Sequence, residues 1–123
     1  MKNDNITYLT DVVLITCVVN HGRGDETLEF AREVGINAAI LYHAHGNGPR
    51  ERLGIWGIAI EAEKDVVTMI AAADNRDIVM RHLYTKLGLD RVGAGMIYAM
   101  PLDKMATHIP ADMLQNLQDK ASK

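Results

Sequence analysis

The sequence predicts an α+β domain with the element order βαββαβ, on three observations. Residues 11–19, Asp-Val-Val-Leu-Ile-Thr-Cys-Val-Val, and residues 65–72, Asp-Val-Val-Thr-Met-Ile-Ala-Ala, are rich in β-branched residues and too apolar for a strand with one solvated face. Each is followed by a helical stretch with an acidic start and a glycine stop, closing on Glu33-Val34-Gly35 in the first half and Lys86-Leu87-Gly88 in the second. Each half then returns to a strand, 37–45 and 96–100, the second closed by Pro101. Two such units fold most simply in the ferredoxin-like way, as four antiparallel strands with both helices on one face. The strands are apolar on both sides, so the face without helices is expected to be covered by another copy of the chain.

The elements have local reasons. The first strand ends at Asn20-His21-Gly22-Arg23-Gly24, a glycine-punctuated turn, and Asp25 with Glu26 suits the start of a helix, through side-chain capping and the dipole. Leu28, Ala31 and Val34 recur on one helical face before Gly35. After the second strand, residues 43–54, His-Ala-His-Gly-Asn-Gly-Pro-Arg-Glu-Arg-Leu-Gly, cannot continue regular structure, because glycine is permissive and Pro49 fixes φ and restricts its predecessor. Trp56, Ile58 and Ile60 alternate with small residues as in a short strand or loop stem. Asp74 and Asp77 have capping-box spacing before a helix whose inner face is Val79, Leu83 and Leu87. A second glycine loop, Leu89-Asp90-Arg91-Val92-Gly93-Ala94-Gly95, leads into the fourth strand, and Met113, Leu114 and Leu117 form one stripe in the tail. The expected organisation is a lead at 1–9, one domain over 10–109 with the long loop at 43–54, and a helical tail at 110–123.

Composition narrows the function. A chain of 123 residues has room for one core, and a net charge of -3 lacks the basic footprint that nucleic acid demands. The polar start Lys2-Asn3-Asp4-Asn5 and the lack of a long uncharged apolar run point to a cytoplasmic protein that is not membrane-inserted. Cys17 lies inside an apolar strand and reads as a small buried hydrophobe.

Two loops carry the candidate chemistry. Arg50 and Arg52 in the first have planar forks suited to carboxylate or phosphate, and Gly46 and Gly48 let backbone approach a ligand; the plainer alternative is a solvated hairpin loop. Arg91, Val92, Gly93, Ala94 and Gly95 in the second join a guanidinium to small residues, as in anion-binding nests, although a single Gly-X-Gly is mostly turn chemistry. His43 and His45 share a face of their strand, and with His21 or His108 they are the candidate metal ligands, but such pairs are more often hydrogen-bonded or solvated and no native metal is expected. His82 reads as helix surface. Catalysis finds little: the only serine is Ser122, and Glu61, Glu63 and Lys64 read as the solvated edge of a strand before they read as acid–base groups.

These residues taken together resemble the PII family of signal-transduction proteins (GlnB-like), in a PII-like branch distinct from the nitrogen regulators. The likeness covers residues 11–109 and is carried by Glu33-Val34-Gly35-Ile36, Glu63-Lys64-Asp65-Val66-Val67, Gly93-Ala94-Gly95-Met96-Ile97-Tyr98 and Pro101-Leu102. It implies a homotrimer of ferredoxin-like subunits, adenine nucleotides bound in the clefts between them, and a long loop that touches partner proteins. By that resemblance Gly46 and Gly48 belong to the long loop, Arg91 and Gly93, Ala94 and Gly95 to the second nucleotide-contacting loop, and Lys64 to the lysine near the acidic effector. The sequence departs from the pattern where Met96 replaces a basic residue, Thr107 and Ile109 replace phosphate-binding arginines, and the magnesium- and oxoglutarate-holding glutamine is missing. No tyrosine for modification lies between Gly46 and Gly54.

The expectation is therefore a trimeric, non-enzymatic regulator of nitrogen or carbon metabolism. It would bind an adenine nucleotide (ATP, ADP, AMP or a cyclic form) or a small anion such as bicarbonate, with magnesium undecided. Residues 43–54 would act on a regulated enzyme or transporter. The alternatives are a divalent-metal-binding trimer like the CutA family and a small enzyme built on Glu61 and Glu63.

Overall fold

The structure, a computed structural model, describes residues 6–45 and 63–108. Within them a four-stranded antiparallel sheet is built from β2 (Val12–Asn20), β3 (Ala39–His45), β4 (Glu63–Ala72) and β5 (Gly95–Pro101), in the spatial order β3-β4-β2-β5. A two-stranded ladder pairs β1 (Tyr8–Leu9) with β6 (Met105–Ala106), so the expected lead supplies a strand. Helix α1 (Gly24–Arg32) joins β2 to β3, and α2 (Arg76–Leu87), entered through a 3-10 turn at Ala73–Asn75, joins β4 to β5. Each βαβ connection skips over a strand of the other half. This is the ferredoxin-like arrangement that the repeated pattern predicts.

Alternation along the strands decides which side meets the helices. Val13, Ile15, Cys17 and Val19 of β2, with Val67, Met69 and Ala71 of β4, are buried against Ala31 of α1 and Val79, Leu83 and Leu87 of α2. Leu28 and Val34 pack at the rim of this core, as their spacing predicts. The cross-strand partners Thr16↔Thr68, Thr16↔Tyr98, Ile40↔Thr68 and Leu14↔Met100 lie on the opposite face. There Ile40, Tyr42, Tyr98 and Met100 are exposed.

Helix ends differ from expectation in instructive ways. Helix α1 begins at Gly24, one residue before Asp25, and its N-cap Arg23 makes no side-chain cap bond; a carboxylate from β4 meets the first turn instead. At α2 the 3-10 turn moves the N-cap to Asn75, so the Asp74/Asp77 capping box does not form and Asp77 hydrogen-bonds Arg76 at 3.0 Å. Gly88 ends α2 in the left-handed conformation, φ 66°, as its position predicts. His82 is not plain surface: its Nε2 lies 2.8 Å from Glu33 Oε1 and ties α2 to the end of α1. The expected strand or stem at Trp56, Ile58 and Ile60 and the tail stripe of Met113, Leu114 and Leu117 lie outside the described residues.

Candidate functional site

Three segments meet at one end of the sheet: the β2–α1 turn, the start of β4 and the loop before β5. They meet because β2 is central, with β4 on one side and β5 on the other. Two polar clusters result, one on each side of the sheet end.

On the side facing β5, Asn20, Arg23, Arg91, Val92, Gly93 and Ala94 line an open pocket of about 260 Å³. Tight turn bonds fix its rim, from Arg91 N–H to the Gly88 carbonyl at 3.2 Å and from Ala94 N–H to the Arg91 carbonyl at 3.1 Å. Gly93 has φ 81° and Gly95 φ 137°; a Cβ on Gly95 would stand 2.3 Å from the Val18 carbonyl oxygen, so only glycine brings this loop against β2. Lys64 Nζ donates to Asn20 Oδ1 at 2.7 Å, and Asn20 Nδ2 donates to the Gly93 carbonyl at 3.2 Å. The lysine is thereby linked to the pocket wall through the asparagine. Lys64 is buried and its ammonium is hydrogen-bonded, which corrects the solvated-edge expectation for it. Arg23 places one guanidinium nitrogen on the Leu87 carbonyl at 3.0 Å and pairs with Glu26, so one wall is anchored to the end of α2.

The second cluster centres on Asp65, whose side chain is 3% exposed. Its Oδ2 accepts from the N–H groups of Gly22 and Gly24, each at 2.9 Å, while Oδ1 lies 3.1 Å from His21 Nδ1 and 2.7 Å from His43 Nδ1. Burial alone would raise the Asp65 pKa, yet the hydrogen bonds from His43, Gly24, Gly22 and His21 prevail and lower it below the ordinary carboxylate value. The imidazole rings stand edge to face, centroids 5.2 Å apart, and Glu63 Oε1 lies 3.9 Å from His21 Nδ1. A Cβ on Gly24 would meet the Leu41 side chain and stand 2.9 Å from Asp65 Oδ2, so a larger residue there has to displace one of them.

Among the sequence-predicted site residues, Arg91, Val92, Gly93 and Ala94 share the pocket, Gly95 closes its loop and Lys64 reaches it through Asn20. His43 joins the Asp65 cluster together with His21, while His45 and His108 are exposed and outside it. Gly46, Gly48, Arg50, Arg52 and Glu61 lie outside the described residues. Sequence reasoning missed Asn20, Arg23 and Asp65. Asn20 and Arg23 stood in a visible glycine turn, but Asp65 gave no signal, since its partners are 22 to 44 positions away. Cys17 is fully buried mid-strand, and desolvation pushes its thiol pKa up to about 12.

No helix among the described residues is long and apolar enough to cross a membrane. No protein-family model matches the sequence, and no curated protein does. A solved structure of Arabidopsis thaliana PII bound to citrate matches with a TM-score of 0.60 and 15% identity, over 76% of this chain and 79% of that one. At that identity the likeness establishes the fold: this chain has the ferredoxin-like architecture of a PII protein.

Proposed function

We propose that this chain is a PII-like regulatory protein, non-enzymatic, that binds a small anionic effector at the Arg91–Gly95 loop and signals through residues 43–54 to a regulated enzyme or transporter. The pocket formed by Asn20, Arg23 and Arg91 with Gly93 and Ala94 carries the proposal, because it joins two guanidinium groups to a glycine loop. Its volume of about 260 Å³ falls short of the roughly 300–1,000 Å³ of a complete ligand site. A cleft finished by a second subunit accounts for that deficit, and the solved PII with citrate gives a fold neighbour that holds a small polyanion. The assembly is a homotrimer of domains spanning 10–109.

The effector is an adenine nucleotide or bicarbonate. With Met96 on β5 where the resemblance has a basic residue, and Thr107 at a phosphate-binding arginine's place, ADP or AMP suits the site better than ATP. Calorimetry of the full chain against ATP, ADP, AMP, cyclic AMP and bicarbonate is the test. Binding of at least one at submillimolar concentration is expected, weakened on the order of tenfold or more by Arg91→Ala, the loss of one charge-assisted contact. Heat-silent titrations at millimolar ligand, confirmed by equilibrium dialysis, overturn the reading; undiminished affinity in Arg91→Ala moves the site elsewhere.

A further inference from the structure

The Asp65 cluster has the donor set and the supports of a metal site. We infer that His21, His43 and Asp65 form a binding site for a divalent transition cation of the zinc class, distinct from the anion pocket and independent of that pocket's occupant. One ligand atom from each of the three residues lies within 4.8 Å of the others. A tetrahedral cation with bonds of 2.0–2.2 Å needs ligand atoms about 3.3 Å apart. The imidazole nitrogens stand 3.1 and 2.7 Å from Asp65 Oδ1, so the rings need open by only a fraction of an ångström to admit an ion.

The surroundings distinguish this group from a chance hydrogen-bonded pair. Asp65 presents Oδ1 to the imidazoles because Oδ2 is held by two backbone N–H groups, the kind of outer support that orients ligating carboxylates. His43 and Asp65 are cross-strand partners on β3 and β4, so their separation is set by the ladder, and His21 is held by the turn that the same carboxylate anchors. The imidazoles are 55% and 63% exposed, which leaves the cation an entry path and at least one open position. Glu63, 3.9 Å from His21 and half exposed, is within reach of that position directly or through a water. Two imidazoles with carboxylate select zinc, nickel, cobalt or copper over magnesium and calcium, which prefer all-oxygen shells. His45, two residues along the same strand face as His43, is not in the group and serves as the internal control.

The test titrates the full chain with Zn2+ by calorimetry and with Co2+ by visible absorption, whose d–d bands report nitrogen and oxygen ligation directly. One ion per chain is expected. His21→Ala and His43→Ala should each weaken binding more than about 100-fold, beyond what loss of an outer-shell partner costs, and His45→Ala should change it less than about twofold. Both ligand imidazoles are exposed, and Asp65 keeps its bonds to Gly22 and Gly24 in their absence, so circular dichroism should show these variants folded. Unchanged Zn2+ affinity in the His21→Ala, His43→Ala double variant overturns the assignment, as does an equal loss in His45→Ala or no binding by the unaltered chain at about 100 μM metal.

Discussion

Asp65 is the residue on which the functional end of the sheet depends. Its buried carboxylate satisfies Gly22 and Gly24 and orients His21 and His43, and it stands at the start of α1, where a negative charge opposes the helix dipole. Replacement by asparagine keeps the shape and removes the charge, leaving backbone donors with a weaker acceptor or none. Asp65→Asn should cost about 2–4 kcal/mol in chemical denaturation, as expected for charge-assisted bonds at a buried site. A change below 1 kcal/mol would show the turn to be held by other means. Cys17 allows a second check at this scale. With its pKa near 12 and no exposure, the thiol should resist alkylation in the native protein at pH 8–9 and react promptly in denaturant. Rapid native labelling would mean that β2 opens. The residue scale is where the sequence said least. Cys17 was legible from its apolar neighbours, whereas Asp65 lay in an ordinary strand opening, and nothing local announces that residues 21 to 24 and 43 converge on it.

At the scale of elements the sequence was far more informative, because periodicity is a local property that folding preserves. The stripe Val79, Leu83, Leu87 is buried as its spacing requires, and β2 and β4 were recognisable as central strands from apolar residues on both faces. Helix starts were misread. Capping by a nearby aspartate competes with capping from another strand, and the cross-strand carboxylate prevails at α1. The glycines at element ends carry separable predictions. Gly88→Ala forces a side chain into φ 66° beside the Arg91 guanidinium and should lower stability by about 1–2 kcal/mol. Gly95→Ala faces both φ 137° and a backbone oxygen 2.3 Å from the new Cβ, one fixed in the β2–β5 ladder, so a loss of about 2–4 kcal/mol is expected. Thermal unfolding of the two variants should preserve that ranking; equal shifts would indicate that the loop moves away from β2 without strain.

The whole molecule presents a sheet with one face packed under helices and the other bearing Ile40, Tyr42, Tyr98 and Met100, which are 66%, 48%, 43% and 47% exposed. Water-exposed apolar side chains on a strand face usually mark a contact surface, and the half-open pocket at one end of the same sheet points the same way. Both features are accounted for if subunits pack sheet to sheet around a common axis and complete one another's ligand clefts. The substitutions Ile40→Glu and Tyr42→Glu together test this cleanly. Neither side chain contributes to the core, so a single chain should keep its fold and its circular dichroism. Light scattering of the unaltered protein should return about three chain masses, and the variant one. Effector affinity should fall with the assembly, because the variant leaves Arg91 and Gly93 untouched but removes the second wall of the cleft. A one-chain mass for the unaltered protein at micromolar concentration would reject the trimer. Undiminished effector affinity in a monomeric variant would instead place the whole site within one subunit, and the about 260 Å³ beside Arg91 would then have to hold the ligand alone.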